Sequence, residues 1–204
     1  DKNDSLQYAG NIERALLCDR NYMTEILGKT IAIWQPKDLV GGDFYWLKTI
    51  ADQDYLVFFD CTGHGVPGAF MTLIVISVLN QIALSTSQAP SGPELMHQLH
   101  EGVCAALGLS PTMSSGKDGL DCAVLRFNQD HTRLEFSSAS MDLYLVPEDG
   151  AAKRLRGDKV MLGYSVNVML PDFKTYDIDV GTNSFVIASD SLITQVGSAE
   201  KRVF

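Results

Sequence analysis

Three aspartates that follow glycines or end apolar runs are the side chains of this sequence best suited to chemistry. Asp43 follows two glycines, while Asp60 and Asp190 end the runs at residues 57–59 and 187–189. Carboxylates that converge from several strand ends form an oxygen-rich site of the kind that Mg²⁺ and Mn²⁺ prefer, with water as the remaining ligands. Because aspartate is also common in turns, turn chemistry is the simpler explanation for any one of them alone.

The segment DCTGHGVPG at residues 60–68 favours the chemical interpretation, because its order and glycine spacing are too specific for a turn alone. His64, which lies between two of these glycines, could be a general acid or a metal ligand. We expect a structural role instead, with the imidazole hydrogen-bonded to the loop that holds Asp60. Solvated positions are expected for the other histidines, which are His97, His100 and His131.

The hydrophobic pattern predicts the elements that must position these aspartates. Apolar residues at helical spacing or in long runs predict helices at residues 6–17, 68–84 and 93–107. Shorter apolar runs between turn residues predict strands at residues 30–34, 42–50, 54–60, 122–128, 133–138, 143–147, 175–180 and 184–189. Long helices among many antiparallel strands predict an α+β fold, a layered sandwich of mainly antiparallel β-sheets covered by α-helices.

The length of 204 residues is that of one domain with one hydrophobic core. We divide the chain into an N-terminal helix or linker region, residues 1–28, and a main domain, residues 29–204. The longest apolar run, residues 69–84, is interrupted by polar residues, so we expect no direct membrane insertion. The first residues do not form a signal segment, and we therefore expect a cytoplasmic domain, which could be part of a membrane-anchored protein.

The charge and the cysteines exclude two classes of function. The net charge is −9 and the basic residues form no cluster, so nucleic acid is not expected as a partner. Cys18, Cys61, Cys104 and Cys122 lack the spacing of a zinc or redox site, which indicates reduced thiols. Cys61 is close to His64, but the glycine run and arginine of a cysteine phosphatase do not follow it, so we expect it to contribute only backbone.

The motifs, in this order, resemble the SpoIIE/RsbU branch of the metal-dependent protein phosphatases, the PPM family. The matching segments are PKDLVGGDFY at residues 36–45, FDCTGHGVPG at 59–68, GY at 163–164 and SD at 189–190. Two further segments, residues 118–121 and 139–144, look similar to a membrane-anchored member of that branch. The resemblance extends over nearly the whole chain.

This resemblance implies a PPM-like fold and a centre of two Mn²⁺ or Mg²⁺ ions. Asp43 and Asp60 would bind the ions, the backbone carbonyl of Cys61 would be a further ligand, and Asp190 would join from the opposite strand. A third ion would be held by Asp118 or Asp121, although either could equally be an ordinary loop acid. The loops around the ions would be shaped by Gly42, Gly63, His64 and Gly65.

The implied activity is hydrolysis of phosphoserine or phosphothreonine by a metal-activated water. The implied substrate is a phosphorylated partner-switching protein of the anti-sigma-factor-antagonist type. The helix at residues 6–17 is a candidate for homodimer contacts, although packing on its own domain is the expected fate of an amphipathic stripe.

Two departures from the family pattern leave a second interpretation open. Ser191 stands where the family usually has glycine after the last matched aspartate, and a final strand with a further metal aspartate is expected but missing. The alternative is a catalytically impaired, phosphatase-like module that binds the partner. The intact Gly-Gly-Asp and Asp-x-x-Gly-His-Gly segments favour the enzyme, since a binding module would not need them.

Overall fold

The computed structural model describes residues 2–110 and 118–193. The helices are α1 (Lys2–Leu16), α2 (Arg20–Leu27), α3 (Gly65–Ser85), α4 (Gly92–Ala106) and α5 (Asp190–Ile193). The strands are β1 (Asp43–Ile50), β2 (Gln53–Cys61), β3 (Leu120–Phe127), β4 (Arg133–Ala139), β5 (Leu143–Val146), β6 (Lys153–Leu155), β7 (Thr175–Asp179) and β8 (Ser184–Ile187).

Two antiparallel sheets and a helical layer form the domain. The first sheet has the order β1-β2-β3-β4-β7 and the second the order β6-β5-β8. Alternate residues of the first sheet, such as Phe59 and Val124, pack under α3 and α4. The intervening residues, such as Leu125 and Phe136, pack against the second sheet. The predicted α+β class, with antiparallel sheets covered by helices, is confirmed.

The β1–β2 hairpin sets the register of the first sheet. Its turn, Ala51 and Asp52, has positive φ angles of 47° and 64°. Two residues in this conformation match the right-handed twist of the paired strands, as in a type I′ turn. The register that follows places Asp43 directly opposite Asp60 at the far end of the hairpin.

Helix α3 is the central helix of the core. Among the described helices it is the one long and apolar enough to cross a membrane, with a hydropathy of 1.8. The buried core helix of a folded domain passes the same test. Met71, Val75 and Leu79 of α3 are buried in the cluster that also contains Phe44 and Phe59 of the first sheet. This packing accounts for the apolar character of the helix.

Two predictions made from the pattern are wrong, and a third is confirmed only in outline. Residues 30–34 form no strand: Ile31 and Ile33 are 81% and 87% exposed, and the segment meets β1 through the Trp34 indole rather than a backbone ladder. The predicted helix at residues 6–17 forms as α1, but Ile12 of its apolar stripe is 46% exposed. The solvated position predicted for His100 is also wrong. Its side chain is buried, and its Nδ1 accepts a hydrogen bond from the Gly163 N–H at 3.1 Å.

Helix α2 was not predicted, although its ends are marked in the sequence. The Asp19 side chain accepts a hydrogen bond from the Asn21 N–H at 2.6 Å, and Gly28 with φ 74° ends the helix. An aspartate N-cap and a glycine at the C-terminal end are ordinary helix boundaries. Leu17, before this helix, and Leu27, its last residue, pack against the two hydrophobic clusters. The division of the chain at residue 28 stays a prediction.

The packing predicts a clear difference between two leucines on the helical layer. Leu99→Ala empties a fully buried position of α4, and we expect it to lower the free energy of unfolding by about 2–5 kcal/mol. Leu84→Ala, at a position 88% exposed, is the control and should change it by less than about 0.5 kcal/mol. Urea denaturation monitored by circular dichroism measures both. Equal effects would contradict the assignment of this face of α4 to the core.

Candidate active site

Three aspartates lie in a row across three neighbouring strands. Asp43 of β1 is paired with Asp60 of β2, and Asp60 is paired in turn with Asp121 of β3. Residues directly opposite in antiparallel strands point to the same face, with Cβ atoms about 4.5–5.5 Å apart. The three side chains are half-buried. This register brings together Asp43 and Asp60, as predicted, and places Asp121 in the same row.

Asp190 approaches the row from the second sheet. It begins α5, just after β8, and its side chain is exposed. The neighbouring Ser189 hydroxyl donates a hydrogen bond to Asp43 Oδ2 at 2.8 Å, which ties the end of β8 to β1. Asp118, in contrast, is exposed and lies two residues before β3. The described contacts do not connect it to the row.

Burial and the neighbouring carboxylates together raise the pKa of Asp60 to about 8. The largest cause is burial, followed by a hydrogen bond and charge repulsion from Asp43 and by the charges of Asp190 and Asp121. Burial and the charge of Asp190 likewise raise the pKa of Asp121, against a hydrogen bond with Ser140 that lowers it. Like charges this close disfavour ionisation of all of them together.

The loop after β2 is fixed by close backbone contacts. The Cys61 N–H donates to the Gly42 carbonyl at 3.1 Å, and a Cβ at Gly42 would lie 2.6 Å from the Cys61 carbonyl oxygen. Only glycine allows this approach. Gly63 and Gly65 have φ angles of 94° and 63°, as the predicted turn requires.

The Cys61 thiol points away from the aspartates. Its side chain is 1% exposed and packs in the core cluster beneath α3, because successive residues of a strand face opposite sides. Burial raises the pKa of this thiol well above its ordinary value. A nucleophilic cysteine requires the opposite conditions, an accessible sulfur and a lowered pKa.

His64 reaches a neighbouring loop rather than the one that holds Asp60. Its Nδ1 lies 3.0 Å from Asp38 Oδ2, and the two side chains are 68% and 51% exposed. The pair joins the PKDLVGGD segment to the DCTGHG segment at the surface. The hydrogen-bond partner of His64 is therefore Asp38, not the loop that holds Asp60, and the structural role of His64 stays a prediction.

Several polar residues around the row were not identified from the sequence. Thr72 of α3 is fully buried, and its hydroxyl donates to the Gly42 carbonyl at 3.2 Å. The Thr62 hydroxyl donates to the Gly119 carbonyl at 3.0 Å, which ties the loop after Asp60 to the segment before Asp121. Isolated threonines have no sequence signal for such contacts, because the partners are 30 and 57 residues away in the chain.

The donor set fits a hard divalent cation. Within residues 2–110 and 118–193, no three His, Cys, Asp or Glu side chains are placed to hold a metal ion together. The hydrogen-bonded Asp43–Asp60 pair, with the charges of Asp121 and Asp190 nearby, nevertheless consists of oxygen donors that repel one another. Mg²⁺ or Mn²⁺ would neutralise them, whereas Zn²⁺ favours nitrogen and sulfur ligands, which this row lacks.

The comparison with protein families agrees with this geometry. A sequence profile of the Stage II sporulation protein E (SpoIIE) family matches residues 52–201, a span that includes two of the three aspartates in the row. The chain belongs to the SpoIIE family. The chain is therefore a SpoIIE/PPM-type phosphatase domain by family, and the PPM-like fold predicted from the motifs is confirmed. No curated protein sequence matches the chain.

Solved structures with the same fold include phosphatase domains of bacterial regulators. The SiaA-PP2C domain of Pseudomonas aeruginosa superimposes with a TM-score of 0.78 at 26% identity, over 98% of this SpoIIE-family chain and 75% of that one. The RsbU and RsbW domains of a Mycobacterium tuberculosis protein give 0.60 at 18% identity, over 79% and 42% of the two chains. RsbX in complex with magnesium gives 0.52 at 15% identity, over 81% and 69%.

The raised pKa of Asp60 predicts how pH acts on the metal-free SpoIIE-family domain. The pKa of Asp60 is about 8 in the folded protein, against an ordinary value of 3.8. As pH rises, the unfolded chain therefore loses this proton before the folded protein does, and the free energy of unfolding falls between these two pH values. Asp60→Asn removes the effect. We therefore expect this variant to gain stability relative to the parent protein as pH rises from about 4 to about 8.

Urea denaturation in excess chelator measures this difference at each pH. The control is Asp149→Asn, at an exposed turn position, which should follow the parent at every pH. A difference between Asp60→Asn and the parent that does not grow with pH would show that the pKa of Asp60 is not raised in the folded protein.

Proposed function

We propose that this chain is a metal-dependent serine/threonine protein phosphatase that hydrolyses a phosphoserine or phosphothreonine of a partner protein. The observation that carries the proposal is the row of Asp43, Asp60 and Asp121 at one end of the first sheet. Such a row is costly for folding unless cations are bound to it, so its presence indicates a function. Membership of the SpoIIE family supports the same reaction.

The proposed cofactors are two Mn²⁺ or Mg²⁺ ions, with a third ion as an additional candidate. Asp43, Asp60 and the Cys61 carbonyl would hold the two ions, and Asp190 and Asp121 are the candidates for the remaining protein ligands. When bound, such ions supply an activated water and neutralise the phosphate. The magnesium-bound state of RsbX supports this proposal.

The residues of the chain itself orient these ligands. Ser189 donates a hydrogen bond to Asp43 Oδ2 and so fixes one oxygen of that carboxylate. The contacts of Gly42 with Cys61 hold the β1 and β2 ends of the site together. The exposed Asp38–His64 pair lies on the solvent side of the same loops, where a phosphorylated side chain would approach.

The proposed substrate is a small partner-switching protein of the anti-sigma-factor-antagonist type. A protein with net charge −9 has no general attraction for an acidic phosphoprotein, so recognition would depend on local contacts. The shared fold with RsbU and RsbW domains supports a partner of this kind. We also propose a cytoplasmic location, because a partner-switching substrate would be cytoplasmic.

Phosphate release from a panel of phosphoproteins, with and without Mn²⁺, tests the proposal. Activity should vanish in excess chelator and return with Mn²⁺ or Mg²⁺. Asp43→Ala or Asp60→Ala should lower turnover by orders of magnitude and weaken metal binding, while the protein still folds, because each variant removes a negative ligand.

Asp149→Ala, in an exposed turn, is the matched control and should retain turnover near the parent value. Calorimetric metal titration gives the affinities of all three variants. Full activity in excess chelator, or identical behaviour of the three variants, would show that the aspartate row is not the active site. Partner binding without any metal-dependent hydrolysis would favour the non-enzymatic module instead.

Cys61→Ser separates this mechanism from that of a cysteine phosphatase. The substitution keeps the backbone carbonyl and removes a thiol that is 1% exposed and faces the core. We expect turnover to stay within about threefold of the parent, because the sulfur takes no part in the reaction. Loss of turnover with unchanged metal affinity and stability would instead identify the thiol as a nucleophile.

A further inference from the structure

Glu13 of α1 is a buried carboxylate on a helix surface that the sequence pattern did not single out. Its side chain is 4% exposed, while Ile12 and Leu16, the apolar residues on either side of it in the predicted stripe, are 46% and 42% exposed. Burial raises the pKa of Glu13. A buried carboxylate destabilises the fold unless it is hydrogen-bonded, so the hydrogen-bond partner of Glu13 indicates the role of this side chain.

The partner of Glu13 is the backbone of the Gly41-Gly42-Asp43 segment. Both carboxylate oxygens accept the Gly41 N–H, at 3.3 Å and 3.2 Å, across 28 residues of chain. Gly41 lies two residues before Asp43. Without Glu13 this buried N–H would lose its acceptor, and a buried amide without an acceptor favours a shift of the backbone.

Helix α1 packs backbone against backbone on Leu39, two residues before Gly41. A Cβ at Gly10, one turn before Glu13, would lie 2.5 Å from the Leu39 carbonyl oxygen. On the other side of the segment, the Thr72 hydroxyl donates to the Gly42 carbonyl, and the Gly42 carbonyl also accepts the Cys61 N–H. The segment is therefore held between α1, α3 and the loop that follows Asp60.

We propose that Glu13 is a positioning residue of the site: its hydrogen bond to the Gly41 N–H makes correct placement of Asp43 depend on the docking of α1. The carboxylate touches neither substrate nor the reacting atoms. It acts through the backbone that precedes Asp43. The activity part of this inference depends on the proposed phosphatase function, whereas the positioning part does not.

The decisive experiment compares Glu13→Ala with Glu13→Gln by three measurements. These are hydrogen exchange of the Gly41 amide in metal-free protein, Mn²⁺ affinity by calorimetry, and kcat and KM for phosphate release. Glu13→Ala should speed exchange at Gly41, weaken Mn²⁺ binding by about tenfold or more, and lower kcat more than KM changes. Glu13→Gln keeps an acceptor oxygen and should stay within about threefold of the parent in all three.

Asp54→Asn is the control for general loss of stability. Asp54 is also a buried carboxylate, hydrogen-bonded to Thr49 and His131. It lies at the opposite end of β2 from Asp60, about 20 Å away along the strand. We expect this variant to keep the Mn²⁺ affinity and turnover of the parent, even where it lowers the free energy of unfolding as much as Glu13→Ala does.

Each outcome of this comparison decides the inference. Parent-like Gly41 exchange and Mn²⁺ affinity in Glu13→Ala would overturn it, and so would equal losses of affinity in Glu13→Ala and Asp54→Asn. If Glu13→Ala does not fold, Gly10→Ala, which pushes α1 away from Leu39, should produce the same changes and decides in its place. A parent protein without metal-dependent activity would refute the proposed function, while Gly41 exchange would still test the positioning role.

Discussion

Repulsion among carboxylates held opposite one another on neighbouring strands is the constraint on which the site depends. Asp43, Asp60 and Asp121 are fixed by the register of β1, β2 and β3, so they cannot separate without breaking the sheet. Burial and this repulsion together raise the pKa of Asp60 to about 8. A folded domain tolerates this arrangement because burial in the two hydrophobic clusters stabilises the sheet around it. Bound cations would neutralise these carboxylates, so the repulsion among them indicates a metal-binding function.

Side chains from outside the aspartate row form hydrogen bonds with Asp43 and with the two glycines that precede it. Ser189 orients Asp43 from the second sheet, Thr72 contacts the Gly42 carbonyl from α3, and Glu13 contacts Gly41 from α1. Each contact joins a different layer of the fold to the same short segment. The geometry of the site is therefore a property of the packed domain, and a small movement of one layer would be transmitted to the aspartates.

The helical layer and the N-terminal helix have different relations to the core. Helix α3 packs its apolar residues on the first sheet, as a long apolar run predicts. Helix α1 instead turns a glycine and a glutamate towards the domain and leaves Tyr8, Ile12 and Leu16 largely exposed. The contacts that dock it include the close approach of Gly10 to Leu39 and the hydrogen bond from the Gly41 N–H to Glu13.

The sequence by itself determined the α+β class, most of the strands, α3 and α4, the family, and the candidate aspartates Asp43 and Asp60. Local patterns and contiguous motifs are sufficient for these, because the relevant residues are close together in the chain. Only the tertiary structure decided that Asp121 rather than Asp118 joins the row, that His64 pairs with Asp38, and that His100 and Glu13 are buried. These outcomes depend on strand register and on hydrogen bonds across 26 to 63 residues, and no local pattern specifies which distant group will satisfy a buried polar atom.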